Sequence, residues 1–325
     1  MTGAARFWPA LGRSLPVLGF GCWQLAGTYS VAGRPQGWGA MADDKAIRLV
    51  HDALEAGIVF FDTAAAYGHG RSECLLGRAL KTARMGADAV VCTKIALRED
   101  EIAHGRFDGT LAQRVEESLG RLQREAVDVL LLHNPPDDLP WTAFDPAPLD
   151  DLIHAGKVRA YGVSARSLKG AMAAAHAGFG TCIEWVYHLL ERRPQTDLFG
   201  LMESRSMTFI ARSPLARGLL SRRGLEHAQI RFDTDDFRST LPPDWLAWTA
   251  EGVKRLGRLA DAPGGMSASA LRFCLSHPAV SAVIPGVRRP EHLDSLIKAS
   301  AEGPLDAGTL AWIDRSTPAF YPPWG

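Results

Sequence analysis

The sequence predicts a (β/α)8 TIM barrel that forms a single domain over residues 1–325. Short apolar runs alternate with longer helical patterns along the chain, which is typical of this fold. Several of these runs are almost wholly apolar, as are parallel strands covered on both faces. The predicted strands are residues 15–23, 58–64, 89–95, 127–134, 158–165, 182–190, 208–216 and 280–287.

Helical patterns fill the intervals between the predicted strands. Residues 43–57 begin with two aspartates, which are favourable in the first turn of a helix, and end at Gly57. Residues 110–124 place Leu111, Val115 and Leu119 on one face, as an amphipathic helix does. The later helical patterns are residues 150–157, 167–178, 197–205, 244–261, 267–278 and 290–302.

An open, doubly wound sheet is the alternative fold. That fold usually carries a glycine-rich phosphate-binding turn directly after a strand. Residues 37–42 (GWGAMA) match the pattern G-x-G-x-x-A, but the preceding SVAGRPQ has no strand pattern, so the barrel is favoured. The longest irregular stretch is residues 217–243. Its arginines are Arg217, Arg222, Arg223, Arg231 and Arg238.

Composition argues against several classes of protein. Lys plus Arg and Asp plus Glu number 36 each, so the formal net charge is zero and nothing indicates a nucleic-acid or anionic-membrane partner. There is no apolar run long enough to span a bilayer, and the N-terminus has no signal-peptide pattern. The five cysteines include no CxxC pair, which argues against structural zinc and disulfides. We therefore expect a cytoplasmic protein, and the sequence does not indicate its oligomeric state.

Four polar residues lie at or just after the C-terminal ends of consecutive predicted strands. Asp62 is near the end of one strand and Tyr67 follows it, whereas Lys94 and His133 end the next two. In a barrel these ends open onto one mouth, where the active site lies. Asp62 could instead cap a helix, and His133 could be structural. Lys94 is harder to explain in that way, because an ammonium that ends an apolar strand needs a partner.

These side chains fit the chemistry of carbonyl reduction. A neutral tyrosine can give its proton to a carbonyl oxygen while a hydride reaches the carbon. Its pKa is ordinarily about 10, so a nearby ammonium must stabilise the phenolate near neutral pH. Lys94 can supply that charge, Asp62 can hold Lys94, and His133 can orient the carbonyl or relay a proton. The hydride must come from a cofactor, since no side chain supplies one.

Six blocks of the sequence, in order, resemble the aldo-keto reductases. They are FDTAAAYGHGRSECLLGRAL, VVCTKI, ESLGRLQREAVDVLLLHNP, GVSA, SPLARGLL and VIPGVRRPEHLDSL, and the resemblance covers about residues 15–300. The spacing is most similar to the branch that contains aryl-alcohol dehydrogenases and potassium-channel β-subunits. The resemblance implies a barrel that binds a nicotinamide cofactor in extended form and needs no metal. It also implies that the catalytic tetrad is Asp62, Tyr67, Lys94 and His133.

The resemblance further implies where a cofactor would bind. Ser164 and Glu184 would contact its carboxamide, and the loop from Ser213 would wrap its pyrophosphate. Basic residues would hold the adenosine phosphate, which favours NADP(H), with NAD(H) as the alternative. The implied contacts are Gly21, Cys22, Trp23, Asp62, Ser164, Glu184, Ser213, Pro214, Leu215, Arg217, Gly218, Arg223, Arg238, Gly286, Arg288 and His292.

Glu184 is the clearest departure from the family pattern, which usually has glutamine at this position. An ionised glutamate accepts hydrogen bonds but cannot donate them. Its charge would favour the positively charged, oxidised nicotinamide over the reduced ring. Alternatively, Glu184 is protonated, or paired with a base such as His188, and has no such effect.

The leading function is an NAD(P)H-dependent oxidoreductase that interconverts a small carbonyl compound and an alcohol. The alternative is a non-catalytic, cofactor-binding regulator of the channel β-subunit type, because such proteins can keep the tetrad. A barrel metallohydrolase would want H-x-H at the first strand, and LGFGCWQ has none. GVSAR lacks the last glycine of the serine-hydrolase G-x-S-x-G motif. Candidates for an apolar substrate wall are Trp38, Phe107, Trp141, Phe320 and Trp324.

Overall fold

The computed structural model describes residues 4–221 and 232–317. Within these ranges eight strands form one sheet, and each strand pairs in parallel with its neighbour in chain order. Parallel bridges from Leu18 to Val283 and from Gly21 to Gly286 bring the first of these strands against the last. The predicted (β/α)8 TIM barrel is confirmed.

The strands and helices of the described residues follow the predicted alternation. The strands are β1 (Ala5–Trp8), β2 (Arg13–Pro16), β3 (Phe20–Gly21), β4 (Tyr29–Val31), β5 (Arg34–Gln36), β6 (Phe60–Asp62), β7 (Val90–Ile95), β8 (Val127–His133), β9 (Val158–Ser164), β10 (Cys182–Val186), β11 (Thr208–Arg212) and β12 (Val280–Ile284). The helices are α1 (Asp43–Glu55), α2 (Arg71–Thr82), α3 (Glu99–His104), α4 (Leu111–Leu122), α5 (Ala147–His154), α6 (Leu168–Ala177), α7 (Pro194–Asp197), α8 (Phe199–Ser204), α9 (Pro243–Arg255), α10 (Gly265–Ser276), α11 (Pro290–Glu302) and α12 (Ala307–Ser316). Strand β3 and strands β6 to β12 form the barrel, and the remaining four strands form two antiparallel hairpins.

Burial on both faces explains the apolar character of the barrel strands. All six residues of β7 are buried, including Lys94. The inward-facing side chains form one cluster with the N-terminal hairpin, and the outward-facing ones pack against the helices. Helix α4 buries Leu111, Val115 and Leu119, the face that the sequence predicts. Burial of each such side chain contributes about 1.5–3 kcal/mol.

The β1–β2 hairpin closes the N-terminal end of the barrel. Trp8 is fully buried, and its ring centroid lies 4.7 Å from that of Phe60 in an edge-on arrangement. The Trp8 indole nitrogen donates to the Ser281 carbonyl at 3.2 Å, which satisfies the polar atom of this buried ring. The hairpin therefore fills this end, and the cavity described below lies at the other end of the strands.

The second hairpin, β4–β5, lies at the C-terminal mouth. The chain that follows it pairs with the segment before α9: the Phe237 amide donates to the Gly37 carbonyl at 3.2 Å. Trp38 also forms an antiparallel bridge with Asp236. These contacts hold the Trp38 and Phe237 side chains at the rim of the mouth.

Several predicted boundaries differ from the structure. The predicted strand 15–23 consists of the end of β2 and the short β3, because β2 pairs within the N-terminal hairpin. The run 208–216 ends as a strand at Arg212, since Ser213 has a left-handed φ of 56° that a strand does not accommodate. Residues 197–205 form parts of two short helices. Arg222, Arg223, Arg231, Phe320 and Trp324 lie outside the described residues.

Among the described residues, no helix is both long enough and apolar enough to cross a bilayer.

Candidate active site

A cavity of about 1330 Å³ opens at the C-terminal ends of the barrel strands. Asp62, Tyr67 and His133 line it, and the fully buried Lys94 lies directly behind Asp62. The structure therefore brings the four residues of the predicted tetrad together. It does so because β6, β7 and β8 are adjacent parallel strands whose C-terminal ends lie at the same edge.

Lys94 and Asp62 form a buried ion pair. Lys94 Nζ donates to both carboxylate oxygens of Asp62 at 2.6 Å and to the Thr63 carbonyl at 2.9 Å. These bonds use the three hydrogens of the ammonium. Burial alone would lower the pKa of Lys94, but Asp62 and Glu184 raise it well above its ordinary value. Lys94 is therefore a fixed positive charge behind the cavity wall.

Tyr67 and His133 lie beside this ion pair with their rings edge to face, at a centroid distance of 5.7 Å. Lys94 Nζ lies 5.3 Å from the Tyr67 ring centroid. Burial raises the pKa of Tyr67 and Lys94 opposes that rise, so Tyr67 is a protonated phenol near neutral pH. Burial and Lys94 lower the pKa of His133 to about 3. The imidazole is therefore neutral, and one of its nitrogens can donate a hydrogen bond.

Glu184 adds a second carboxyl group to the network and is only 1% exposed. Its Oε1 accepts from Ser164 Oγ at 3.0 Å, and its Oε2 lies 3.3 Å from Lys94 Nζ. Arg212 Nε lies 3.9 Å from Oε1. His188 accepts instead from the Leu190 amide through Nδ1 at 3.1 Å. The bases beside Glu184 are therefore Lys94 and Arg212, and the alternative partner His188 makes its contact elsewhere.

A third potential ligand atom lies near the two carboxyl groups. Asp62, Cys92 and Glu184 each place one such atom within 4.8 Å of the others. Lys94 Nζ, however, lies against both carboxyl groups and already supplies a positive charge there. Burial also raises the pKa of the Cys92 thiol well above its ordinary value, so the thiolate that metals prefer is disfavoured. The arrangement is that of an ion-pair network.

The described residues of the predicted cofactor set all line the same cavity. They extend from the tetrad across the ends of β11 and β12 to the first turns of α11. These lining residues are Gly21, Cys22, Trp23, Asp62, Ser164, Glu184, Ser213, Pro214, Leu215, Arg217, Gly218, Arg238, Gly286, Arg288 and His292. Arg223 lies outside the described residues.

The end of the cavity near α11 is basic. Lys45, Arg288, Arg289 and His292 line it together. Arg288 donates through Nη2 to the Ala40 carbonyl at 3.2 Å, which fixes the position of its guanidinium. Because a guanidinium has five donor hydrogens, the others stay available to a phosphate.

Two other arginines of the predicted set already have partners. Arg238 Nη2 pairs with Asp236 Oδ2 at 2.6 Å, and its guanidinium lies 4.7 Å from the Trp38 ring centroid. The Arg217 guanidinium stacks at 4.9 Å over Trp245, and burial lowers its pKa to about 10. Much of the charge of Arg238 is therefore compensated within the protein.

Aromatic side chains also line the cavity. The Phe237 ring centroid lies 4.6 Å from that of Trp23 and 4.8 Å from that of Trp38. Trp23 also donates from Nε1 to the Tyr29 hydroxyl at 3.0 Å. Trp38 is thus placed as the sequence suggested for a substrate wall.

Two of the suggested wall residues lie elsewhere. Phe107 packs on Phe144 at a centroid distance of 5.0 Å, and Trp141 packs on Phe179 at 4.9 Å. Both are buried in the hydrophobic core outside the barrel. Their assignment to the wall was wrong, because the loops that carry them fold back onto the helices.

Sequence reasoning missed other residues of the cavity. They are Gln24, Tyr29, Lys45, Asn134, Arg166, Arg212, Phe237 and Arg289. Arg212 could have been found, since it ends β11 just as His133 ends β8, and the same strand-end argument applies. Phe237 carries no comparable signal, because it reaches the cavity from a long loop.

Solved structures of several proteins share this fold along nearly their whole length. An aldo-keto reductase of Bacillus halodurans in its holo form has a TM-score of 0.76 and 25% identity, covering 99% of each chain. The glycerol dehydrogenase of Gluconobacter oxydans has a TM-score of 0.76 and 26% identity, covering 97% of this chain and 95% of that one. At 23% identity, an aldo-keto reductase of Klebsiella pneumoniae in complex with NADP and acetate shares the fold, with a TM-score of 0.71 and coverage of 100% and 98%. This chain thus has the barrel found in these oxidoreductases.

The comparison of sequences identifies the family. The model of the aldo/keto reductase family matches residues 17–317. An aldo-keto reductase of Bacillus subtilis is 30% identical over 292 residues, which cover 86% of this chain and 83% of that protein. The chain belongs to the aldo/keto reductase family, which confirms the resemblance seen in the sequence, and it is an oxidoreductase.

Proposed function

We propose that this protein interconverts an aldehyde or ketone and an alcohol with NAD(P)(H), and that Tyr67 transfers the proton. The observation that carries the proposal is the contact of Lys94 with both Asp62 oxygens, 5.3 Å from the Tyr67 ring centroid. This contact holds a positive charge beside the phenol that would lose a proton. Such an arrangement is suited to general acid–base catalysis.

The donors and acceptors of the cavity fit a nicotinamide dinucleotide. Ser164 and Glu184 offer hydroxyl and carboxyl groups near the tetrad, which suits an amide. Lys45, Arg288 and Arg289 lie at the other end, which suits a phosphate. The bound cofactor would supply the hydride, which no side chain of the protein can supply.

In the direction of reduction, Tyr67 donates its proton to the carbonyl oxygen of the substrate. The carbonyl carbon gains a hydride, so the carbonyl compound is reduced and the cofactor is oxidised. Lys94 stabilises the phenolate that remains, and Asp62 keeps Lys94 in place. Neutral His133 donates a hydrogen bond that orients the carbonyl oxygen. In the direction of oxidation, Tyr67 takes the proton back from the alcohol.

NADP(H) is the cofactor that we favour, and NAD(H) is the alternative. A 2′-phosphate adds negative charge that arginine forks bind well. Arg288 has its guanidinium fixed at the basic end of the cavity, whereas Arg238 is already paired with Asp236. We therefore assign the larger part of the preference to Arg288.

The substrate is a small molecule that fits between the tetrad and the aromatic side chains Trp23, Trp38 and Phe237. The test is turnover of NADPH and NADP+ with a panel of aliphatic, aromatic and sugar aldehydes and the matching alcohols. The expected result is turnover of at least one substrate, with loss of turnover in Tyr67→Phe. Binding of the cofactor without turnover of any member would contradict the enzymatic proposal and favour the non-catalytic regulator.

A further inference from the structure

Four barrel strands place one charged side chain each around the Lys94 ammonium. Asp62 on β6, Lys94 on β7 and Glu184 on β10 are each at most 3% exposed. Arg212, at the end of β11, completes the set from the side of the cavity. Lys94 could neutralise Asp62, and Arg212 could neutralise Glu184. The Asp62–Lys94 contact, at 2.6 Å, is however much shorter than the Glu184–Arg212 contact, at 3.9 Å.

The first pair is complete without Glu184. Lys94 gives two hydrogens to Asp62 and the third to the Thr63 carbonyl. Although Glu184 Oε2 lies 3.3 Å from Lys94 Nζ, it receives no hydrogen bond of normal geometry from the described residues. Arg212 Nε, 3.9 Å from Glu184 Oε1, is also buried without a hydrogen-bond acceptor among them. Glu184 is therefore a buried carboxyl group that is only partly compensated.

Two carboxyl groups that face each other in a buried site do not both ionise easily. Asp62 and Glu184 place carboxyl oxygens within 4.8 Å of each other, and Lys94 Nζ lies 2.6 Å from an oxygen of Asp62 and 3.3 Å from one of Glu184. Burial and Glu184 raise the pKa of Asp62 to about 8. Burial alone would raise the pKa of Glu184, but Lys94 and Arg212 lower it. The two groups titrate as a coupled pair, and its proton belongs to both.

We propose that Asp62 and Glu184 share one proton beside Lys94, and that binding of an oxidised, positively charged nicotinamide ring displaces this proton to solvent. The inference rests on the proposed function, because it needs the cofactor to bind in this cavity. Asp62, Glu184, Tyr67 and His133 line the same cavity, so a positive ring held there favours ionisation of the pair. The reduced ring is neutral and leaves the proton in place. Glu184 is thus a positioning residue that makes proton release depend on the redox state of the cofactor.

Other charged and titratable groups around Asp62 and Glu184 affect the pH at which this pair titrates, but they are not the source of the released proton. The titratable and charged groups that face it from the adjoining elements are Tyr67, Cys92, Lys94, His133 and Arg212. Burial raises the pKa of Tyr67 and of the Cys92 thiol, and burial lowers the pKa of His133 to about 3. Near pH 8 these three groups are neutral, while Lys94 stays positive.

The test is calorimetric titration of NADP+ and NADPH into the protein at pH 8, in two buffers with different enthalpies of ionisation. If the pKa of the pair falls by one unit, the wild type releases about half a proton for each NADP+ bound. It should release none with NADPH. The ratio of the NADP+ to the NADPH affinity should rise by up to about tenfold between pH 6 and pH 9. NADP+ and NADPH carry the same phosphates. Titration of groups at the basic end therefore changes both affinities equally and leaves their ratio unchanged.

Glu184→Gln removes the second carboxyl group, and it should abolish the proton release and the pH dependence of the ratio. Arg212→Gln removes a positive charge, so the release should move to higher pH, whereas Arg212→Lys keeps the charge and should behave like the wild type. The arginine variants keep the inference testable if Glu184→Gln fails to fold. Equal proton release with both cofactor forms, or release that persists in Glu184→Gln, would overturn the inference. A wild type that binds neither form would contradict the proposed function as well.

Discussion

The ammonium nitrogen of Lys94 lies 5.3 Å from the centre of the Tyr67 ring, although the two residues come from different parts of the barrel mouth. Asp62 and Thr63 hold that nitrogen through three hydrogen bonds, so it cannot swing away from the ring. A fixed charge stabilises a phenolate without any reorganisation when the proton leaves. In the reaction that we propose, the acidity of Tyr67 would therefore depend on the buried Lys94 and the groups that hold it.

Tyr67→Phe removes only the hydroxyl group that we propose as the proton donor. Turnover should fall by at least about 100-fold, which is the usual scale of general-acid catalysis. The affinity for NADPH should stay within about twofold, because the ring and its packing on Trp23 remain. Steady-state kinetics and a binding titration measure the two quantities. Carbonyl reduction at nearly the wild-type rate would exclude Tyr67 as the acid.

Lys94→Met keeps most of the stem and removes the charge. Turnover should fall, and the remaining alcohol oxidation should need a higher pH, since the phenolate loses its neighbouring cation. The variant also leaves two buried carboxyl groups without their ammonium, which should lower the free energy of unfolding by about 3–5 kcal/mol.

Asp62→Asn is the matched variant for Lys94→Met, because it keeps the ammonium and leaves Glu184 as its carboxyl partner. Its loss of turnover should be the smaller of the two. Urea denaturation and pH–rate profiles compare the variants. Identical pH profiles in the wild type and both variants would remove the electrostatic role of the ion pair.

Arg288→Ala tests the preference for NADP(H). Hydrogen bonds to charged groups contribute about 1.5–3 kcal/mol, so the dissociation constant of NADPH should rise by about tenfold or more. That of NADH should change little, because NADH lacks the 2′-phosphate. Arg238→Ala should have a smaller effect on the NADPH affinity, since Asp236 already pairs with Arg238.

The control for Arg288→Ala is Arg48→Ala, which removes a solvent-exposed guanidinium that pairs with Asp44 on α1. It should not change either affinity. Equal binding of NADPH and NADH by the wild-type protein would contradict the predicted preference.

The shared proton of Asp62 and Glu184 also predicts how stability depends on pH. The pKa of Asp62 is raised to about 8 in the folded state, compared with about 4 in an unfolded chain. Between these values the folded protein binds the extra proton, so the free energy of unfolding falls as the pH rises towards 8. The slope is at most about 1.4 kcal/mol for each pH unit.

Glu184→Gln leaves Asp62 as a single partner for Lys94 and should remove this contribution to the slope. Denaturation with urea at pH 5, 6, 7, 8 and 9, on wild type and variant in parallel, gives the difference directly. A wild type whose stability relative to Glu184→Gln does not fall over this range would show that no extra proton is bound.

Alternation of apolar strands and amphipathic helices determined the barrel, because parallel strands with both faces covered need that pattern. The position of Asp62, Lys94 and His133 could also be predicted from the sequence. Each lies at the end of an apolar run, and the C-terminal ends of barrel strands meet at one mouth. The resemblance to a family indicated cavity-lining residues such as Gly21, Ser164 and Gly286, which we propose contact the cofactor.

Only the tertiary structure decided which charges meet. Asp62 and Glu184 are far apart in the sequence, and their approach depends on the closure of the barrel across its interior. The sequence raised His188 as one alternative partner of Glu184, whereas the structure places Lys94 Nζ 3.3 Å and Arg212 Nε 3.9 Å from its carboxyl oxygens. The sequence could not show that Trp38 lines the cavity while Phe107 and Trp141 are buried against the helices. All three are aromatic residues in loops, and the path of each loop decides where its side chain packs. The acidity of Tyr67 and the proton of the carboxyl pair likewise follow from burial and from distances of a few ångströms, which local sequence does not encode.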